Sequence, residues 1–95
     1  MKLIFTDHLE TRITQREIPL GLVEEIFEKS EENYWDNLRN RYIVISSVNY
    51  KGKQRKLLAA YDRIGEDKKV ITVHPISDEG IQRRLFSGRW NHERA

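Results

Sequence analysis

Cysteine is absent from the sequence, and proline and glycine are scarce, with two and five residues among 95. Without cysteine, neither disulfides nor thiolate metal ligands support a fold, and nothing points to an oxidising compartment, so the expected location is cytoplasmic. Long apolar runs are missing too. The opening MKLIFTDH holds only three consecutive apolar residues before charge begins, far short of a signal-peptide core or a membrane span, so the chain is expected to be neither exported nor inserted. Histidine occurs three times, as His8, His74 and His92, and no His/Asp/Glu cluster has metal-ligand spacing. A metal or other cofactor is therefore not expected. There is no glycine-rich phosphate loop, no Gly-x-Ser-x-Gly nucleophile motif, and no repeat, low-complexity tract or interdomain linker.

What is present is globular composition leaning polar, 38% hydrophobic and 34% charged, which predicts a folded chain. The length fits one domain over 1–95, with a folded core over 1–90 and a frayed tail over 91–95. A chain this short buries only about 60–65% of its unfolded surface, so its core must be economical. The net charge of +2 hides an asymmetry: residues 1–47 carry six Lys/Arg against nine Asp/Glu, and residues 48–95 carry eleven against six. The basic half is either a solvated surface or a face for phosphates.

Lys2 to Thr6 reads as a short strand, and Asp7 with Glu10 as a capping box opening a helix. That helix should stop near Glu17, because Ile18 precedes Pro19 and a residue before proline is pushed out of the α region. Pro19 suits the first turn of a second helix, in which Leu22, Val23, Ile26 and Phe27 recur at helical spacing. SEENYWDNLRN reads as an acidic, turn-prone link. RYIVISSVNY, RKLLAAYD and KKVITVHP are β-branched and aromatic enough to be strands, joined by turns at Gly52 and Gly65. Ser77 caps a last helix whose stop is Gly88. The expected fold is α+β: two N-terminal helices packed on a three- to four-stranded antiparallel sheet, with a C-terminal helix. One sheet face is then covered and the other left open for solvent or a partner. Val23, Ile26, Phe27, Ile43, Ile45, Leu58 and Val73 are expected inside.

On the first helix His8, Arg12 and Arg16 recur at i, i+4 and i+8 and form one stripe. Arginine offers permanent, bidentate charge to phosphate and histidine moves protons near neutral pH, but the arginines suit ion pairs with Glu10, Glu17 or the second helix equally well. Tyr61 on the middle strand is a candidate proton donor, or a packing residue. His74 ends the last strand beside Pro75. Arg55, Arg83, Arg84 and Arg89 are candidate nucleic-acid contacts, and Trp90 either stacks on a base or pins the C-terminus to the core. RNA cleavage by its own 2′-hydroxyl needs a base, an acid and cations for the phosphorane charge, and no cofactor.

HLETRITQREI, followed by an amphipathic helix, resembles the opening of a family of small uncharacterised bacterial and archaeal domains with a His-x-x-x-Arg-x-x-x-Arg first helix. LLAAYDRIGEDKKVITVHPIS resembles the strand pair shared by those domains and the BrnT-like toxins, and SGRW resembles the close of the uncharacterised group. The resemblance spans roughly residues 7–90. It implies the RelE/ParE toxin superfold, whose members commonly cleave messenger RNA and are wrapped by antitoxins. By position it implies a site of His8, Arg12, Arg16, Tyr61 and His74, the last standing where BrnT-like chains tend to have Arg. The expected function is a type II toxin-like ribonuclease or translation inhibitor, acting without metal on RNA, free or on the ribosome, and neutralised by an antitoxin. The alternatives are a non-catalytic RNA- or protein-binding module and a ParE-like topoisomerase inhibitor, with a homodimer as a further form of association.

Overall fold

The computed structural model describes residues 2–93 of the chain. Its elements run β1 (Leu3–Phe5), α1 (Asp7–Gln15), α2 (Leu20–Lys29), β2 (Glu32–Asp36), β3 (Arg41–Tyr50), β4 (Lys53–Ile64), β5 (Asp67–Pro75), α3 (Asp78–Phe86) and β6 (Trp90–His92). The helix ends obey local chemistry. Thr6, rather than Asp7, caps α1, its hydroxyl accepting from the Leu9 N–H at 3.1 Å, and Ser77 caps α3 through the Gly80 N–H at 3.0 Å. At the β3–β4 turn Lys51 and Gly52 both have positive φ, 53° and 78°, as a tight hairpin requires.

The sheet overturns the expected architecture. It has six strands in the order β1-β5-β4-β3-β2-β6, and it is mixed, because β1 pairs parallel to Lys68–Val70 of β5 while the other pairings are antiparallel. Two strands lie where none was expected. β2 falls inside the acidic link, because its inward positions carry Tyr34 and Asp36 rather than aliphatic residues. β6 lies in the segment expected to fray: Asn91 and His92 pair with β2, and the Glu93 N–H donates to the Asn33 carbonyl at 3.0 Å. Arg94 and Ala95, the rest of that tail, lie outside the described residues. Three residues are too few to show a period-two pattern, so β6 exists through pairing, not propensity.

Both faces of the sheet carry a packed core, not one, although the second is covered only in part. Leu9 and Ile13 of α1 and Val23, Ile26 and Phe27 of α2 pack with Val44, Val48, Leu57, Ala59, Tyr61, Val70 and Val73. On the opposite face Ile81 of α3 and Trp90 of β6 pack with Tyr34, Ile43, Ile45, Leu58 and Ala60. All seven residues expected inside are buried, but they divide between these two cores. A β-bulge decides the faces of β5. Ala60 pairs with Thr72 and Tyr61 with Val70, so Ile71 is an extra residue and the side-chain alternation slips by one. Val70 and Val73 therefore both face the helices, and Thr72 and His74 face the other side.

Candidate functional site

α3 leaves part of its sheet face uncovered, and there a cleft of about 460 Å3 opens beside it. Its floor comes from alternate positions of neighbouring strands: Ile43 of β3, Leu58 and Ala60 of β4, and Thr72 of β5, with Trp90 at the β6 side. One wall belongs to α1. Because β1 pairs only with Lys68–Val70, Ile71 to Pro75 has no strand on its outer side, and α1 packs against that stretch instead. Leu9 and Ile13 turn into the helix-side core, which leaves His8 and Arg12, one turn apart, to reach round the edge to the cleft.

The cleft gathers positive charge. Arg12, Arg39, Arg41, Arg84 and Arg89 line it, together with His8 and His74, against a single carboxylate among the described residues, Asp36. Asp36 is buried and already committed. Its Oδ1 accepts the backbone N–H groups of Leu38 at 2.9 Å and Arg39 at 3.1 Å, and its Oδ2 takes Arg89 Nη2 at 3.3 Å. Burial pushes its pKa up, but the Arg39 N–H, the Arg89 guanidinium and the Leu38 N–H outweigh burial and hold it below the usual carboxylate range. Arg41 sits 3.5 Å from Asp62. Arg12 and Arg39 make no ion pair among the described residues, so the cleft as a whole remains an electropositive site.

His74 has a defined orientation. Its Nδ1 lies 2.9 Å from the Pro75 carbonyl, and a carbonyl only accepts, so in the neutral ring the proton sits on Nδ1 and Nε2 keeps its lone pair. Arg84 lies with its guanidinium 5.3 Å from the Trp90 ring centre and donates Nη1 to the Gly80 carbonyl at 3.0 Å. Burial, then the nearby Arg89 and Arg83, lower its pKa, though a guanidinium stays charged regardless. The Trp90 indole N–H is buried and finds no acceptor among the described residues.

Of the residues singled out in the sequence, His8, Arg12, His74, Arg84, Arg89 and Trp90 come together here. The others do not. Arg16 is structural: its Nη1 donates to the Val73 carbonyl at 3.0 Å, and its own carbonyl accepts the Tyr50 hydroxyl. Tyr61 lies on the opposite face of the sheet, 1% exposed, with its ring 5.2 Å from Phe27 and 5.5 Å from Tyr42. In β4 the even-numbered Leu58 and Ala60 face the cleft, and the odd-numbered Tyr61 faces the helices. Arg55 stands over the Tyr50 ring, and Arg83 pairs with Glu79 at 3.1 Å. Asp36 and Arg39 were missed because they fall in SEENYWDNLRN, read as a link, and Arg41 because it opens RYIVISSVNY, read only as a strand; two arginines following an aspartate at a turn were the available signal.

Among the described residues no group of three or more His, Asp or Glu side chains is placed to hold a metal ion. No described helix is long and apolar enough to cross a membrane. Compared with known proteins, the chain matches no family model, no curated protein and no solved structure.

Proposed function

We propose that the chain is an RNA-directed protein of the RelE/BrnT toxin kind that binds backbone phosphate in the basic cleft and cleaves RNA there without metal. The observation that carries this reading is the convergence of two histidines from α1 and β5 with five arginines on one cleft whose one carboxylate among the described residues, Asp36, is already paired. His74 Nε2 is the base: it takes the proton of a 2′-hydroxyl, whose oxygen attacks the adjacent phosphorus. The phosphorus–5′-oxygen bond breaks, and protonated His8 gives its proton to the departing oxygen, leaving a 2′,3′-cyclic phosphate. The arginines stabilise the negative charge that builds on the phosphorane. Tyr61 has no part, since the sheet separates it from His74.

Cleavage of one RNA in EDTA tests the reading. His8→Ala and His74→Ala should each lower the rate by about 100- to 10,000-fold, with little change in Tm because neither side chain is a core residue. RNA that is bound by the wild-type protein but never cut makes a non-catalytic binding module the better description. Absence of RNA binding sinks the proposal. A neutralising antitoxin belongs to the same reading and would present carboxylates to these arginines; co-purification with the neighbouring gene product, followed by ultracentrifugation, detects it or a homodimer, and a strict monomer without partner counts against it.

A further inference from the structure

We propose that the α3 end of the cleft is a distinct phosphate subsite, built on Arg84 and Arg89, that holds a backbone phosphate away from the bond flanked by the histidines. The proposal deepens the reading of the cleft as a phosphate site, and it rests on it: the ligand is an oligonucleotide carrying at least two phosphates, not a mononucleotide.

Distance separates the two ends. His74 stands on β5 and Trp90 on β6, four strands apart in the order β5-β4-β3-β2-β6, a span of roughly 19 Å at the usual inter-strand spacing. A phosphate held beside His74 lies well away from Trp90, and successive nucleotides of one strand reach both ends.

The residues at the α3 end offer donors and charge without a matching acceptor. Arg89 uses Nε and Nη2 on Asp36, and its Nη1 has no hydrogen-bond partner among the described residues. Arg84 uses Nη1 on the Gly80 carbonyl, which leaves Nε and Nη2. The two guanidiniums are close enough that Arg89 helps to lower the Arg84 pKa, an effect that Asp36 opposes only in part, and the ion pair of Asp36 is with Arg89. Beneath Arg84, the Trp90 N–H is a buried donor with no acceptor among the described residues. Two held guanidiniums with free N–H groups form the donor fork that phosphate oxygens match. Asp36 is the positioning residue: it fixes Arg89 directly and, through the Leu38 and Arg39 N–H groups, the turn that carries Arg39 into the same cleft.

Trp90 reports on the subsite because Arg84 covers its ring. In the full chain carrying Trp35→Phe, one indole N–H resonance remains, and pyrophosphate should shift it saturably. Arg84→Gln should abolish that shift, Arg84→Lys should restore part of it, and His8→Ala should leave it intact. An all-deoxy trinucleotide, with two phosphates and no 2′-hydroxyl to react, should bind about tenfold or more tightly than the dinucleotide, the worth of one charge-assisted contact. Arg84→Gln should erase that advantage and reduce the slope of log affinity against log salt by about 0.7. No saturable shift, or a shift that survives Arg84→Gln, overturns the subsite whether or not RNA is cleaved. A shift that behaves as stated in a protein that never cuts RNA keeps the subsite and removes the nuclease reading.

Discussion

The two faces of the sheet solve different problems. Under α1 and α2 the strands present Val44, Val48, Leu57, Ala59, Val70 and Val73 to a continuous apolar helix stripe, and the result is closed packing. Under α3 the same strands present Ile43, Ile45, Leu58 and Ala60 to a helix that buries only Ile81 fully. A helix that narrow in its apolar stripe cannot cover the whole face. What it leaves is rimmed by arginines and fastened by polar bonds at both ends. Lys56 reaches Glu32 and Asp78 at 2.8 Å each, pinning the start of α3, and Asp36 with Arg89 pins the turn after it. One face is closed packing; the other combines a smaller core with a charged cleft.

That division predicts unequal responses to mutation. The largest expected effect on stability is Ile26→Ala, in the closed face. It should cost about 2–5 kcal/mol and lower Tm by roughly 10 °C or more, while the protein that remains folded at low temperature keeps its affinity for pyrophosphate. Ile71→Ala, on the half-exposed cleft side, should cost less than about 1 kcal/mol in the same thermal melt. Equal losses at the two positions would erase the distinction.

Asp36→Ala should fall between them, at about 1–3 kcal/mol, because it removes the partner of Arg89 and the acceptor of two backbone N–H groups. The half-exposed Arg89 regains water, which keeps the loss below that of a fully buried pair. Unlike Ile26→Ala, this substitution should also weaken pyrophosphate binding; a stability loss with binding intact would make Asp36 purely structural.

The polar fastening of the α3 face should also make stability depend on pH. The Asp36 and Glu32 carboxyls have folded pKa values below their unfolded ones, so the stability they contribute is full above about pH 4 and is lost as pH falls through their lowered values. Burial and the bond to Glu32 push Tyr34 up to about 12, so its contribution is full below about pH 10 and fades as pH rises towards that value. Denaturant midpoints measured across pH check both limbs, and Asp36→Asn should flatten the acid one. A midpoint indifferent to pH below 4 would remove these contacts from the account.

The smallest effect is expected at Tyr61→Phe. The ring stays in the closed core and only a hydroxyl on the far side of the sheet is lost, so the change in stability should stay within about 1 kcal/mol and RNA cleavage should be unaltered. A large loss of cleavage would mean that the sheet does not divide core from site.

Much of the order of elements was legible in the sequence, because it is set by short-range rules. Pro19, Gly52, Ser77 and Gly88 mark boundaries through φ restrictions and capping bonds, and RYIVISSVNY matches β3 residue for residue. The stripe of His8 and Arg12 was legible for the same reason, since i, i+4 spacing fixes a helical face. β2 and β6 were not, because their inward residues are Tyr34, Asp36 and Trp90, whose burial depends on partners distant in sequence.

Tertiary structure alone decided where the charged groups meet. The asymmetry between the halves of the sequence is not an asymmetry in space: the acidic half supplies Arg12, Arg39 and Arg41 to the cleft, and the basic half supplies Arg84 and Arg89. One bulged residue, Ile71, placed His74 on the cleft side while leaving Val70 and Val73 in the core. The same alternation carried Tyr61 to the far face. Local sequence fixes which way a helix or strand is amphipathic, because that depends on periods of 3.6 and 2 residues. Which faces then come together depends on strand order and on a one-residue slip in register, and those follow from the burial of all the elements at once.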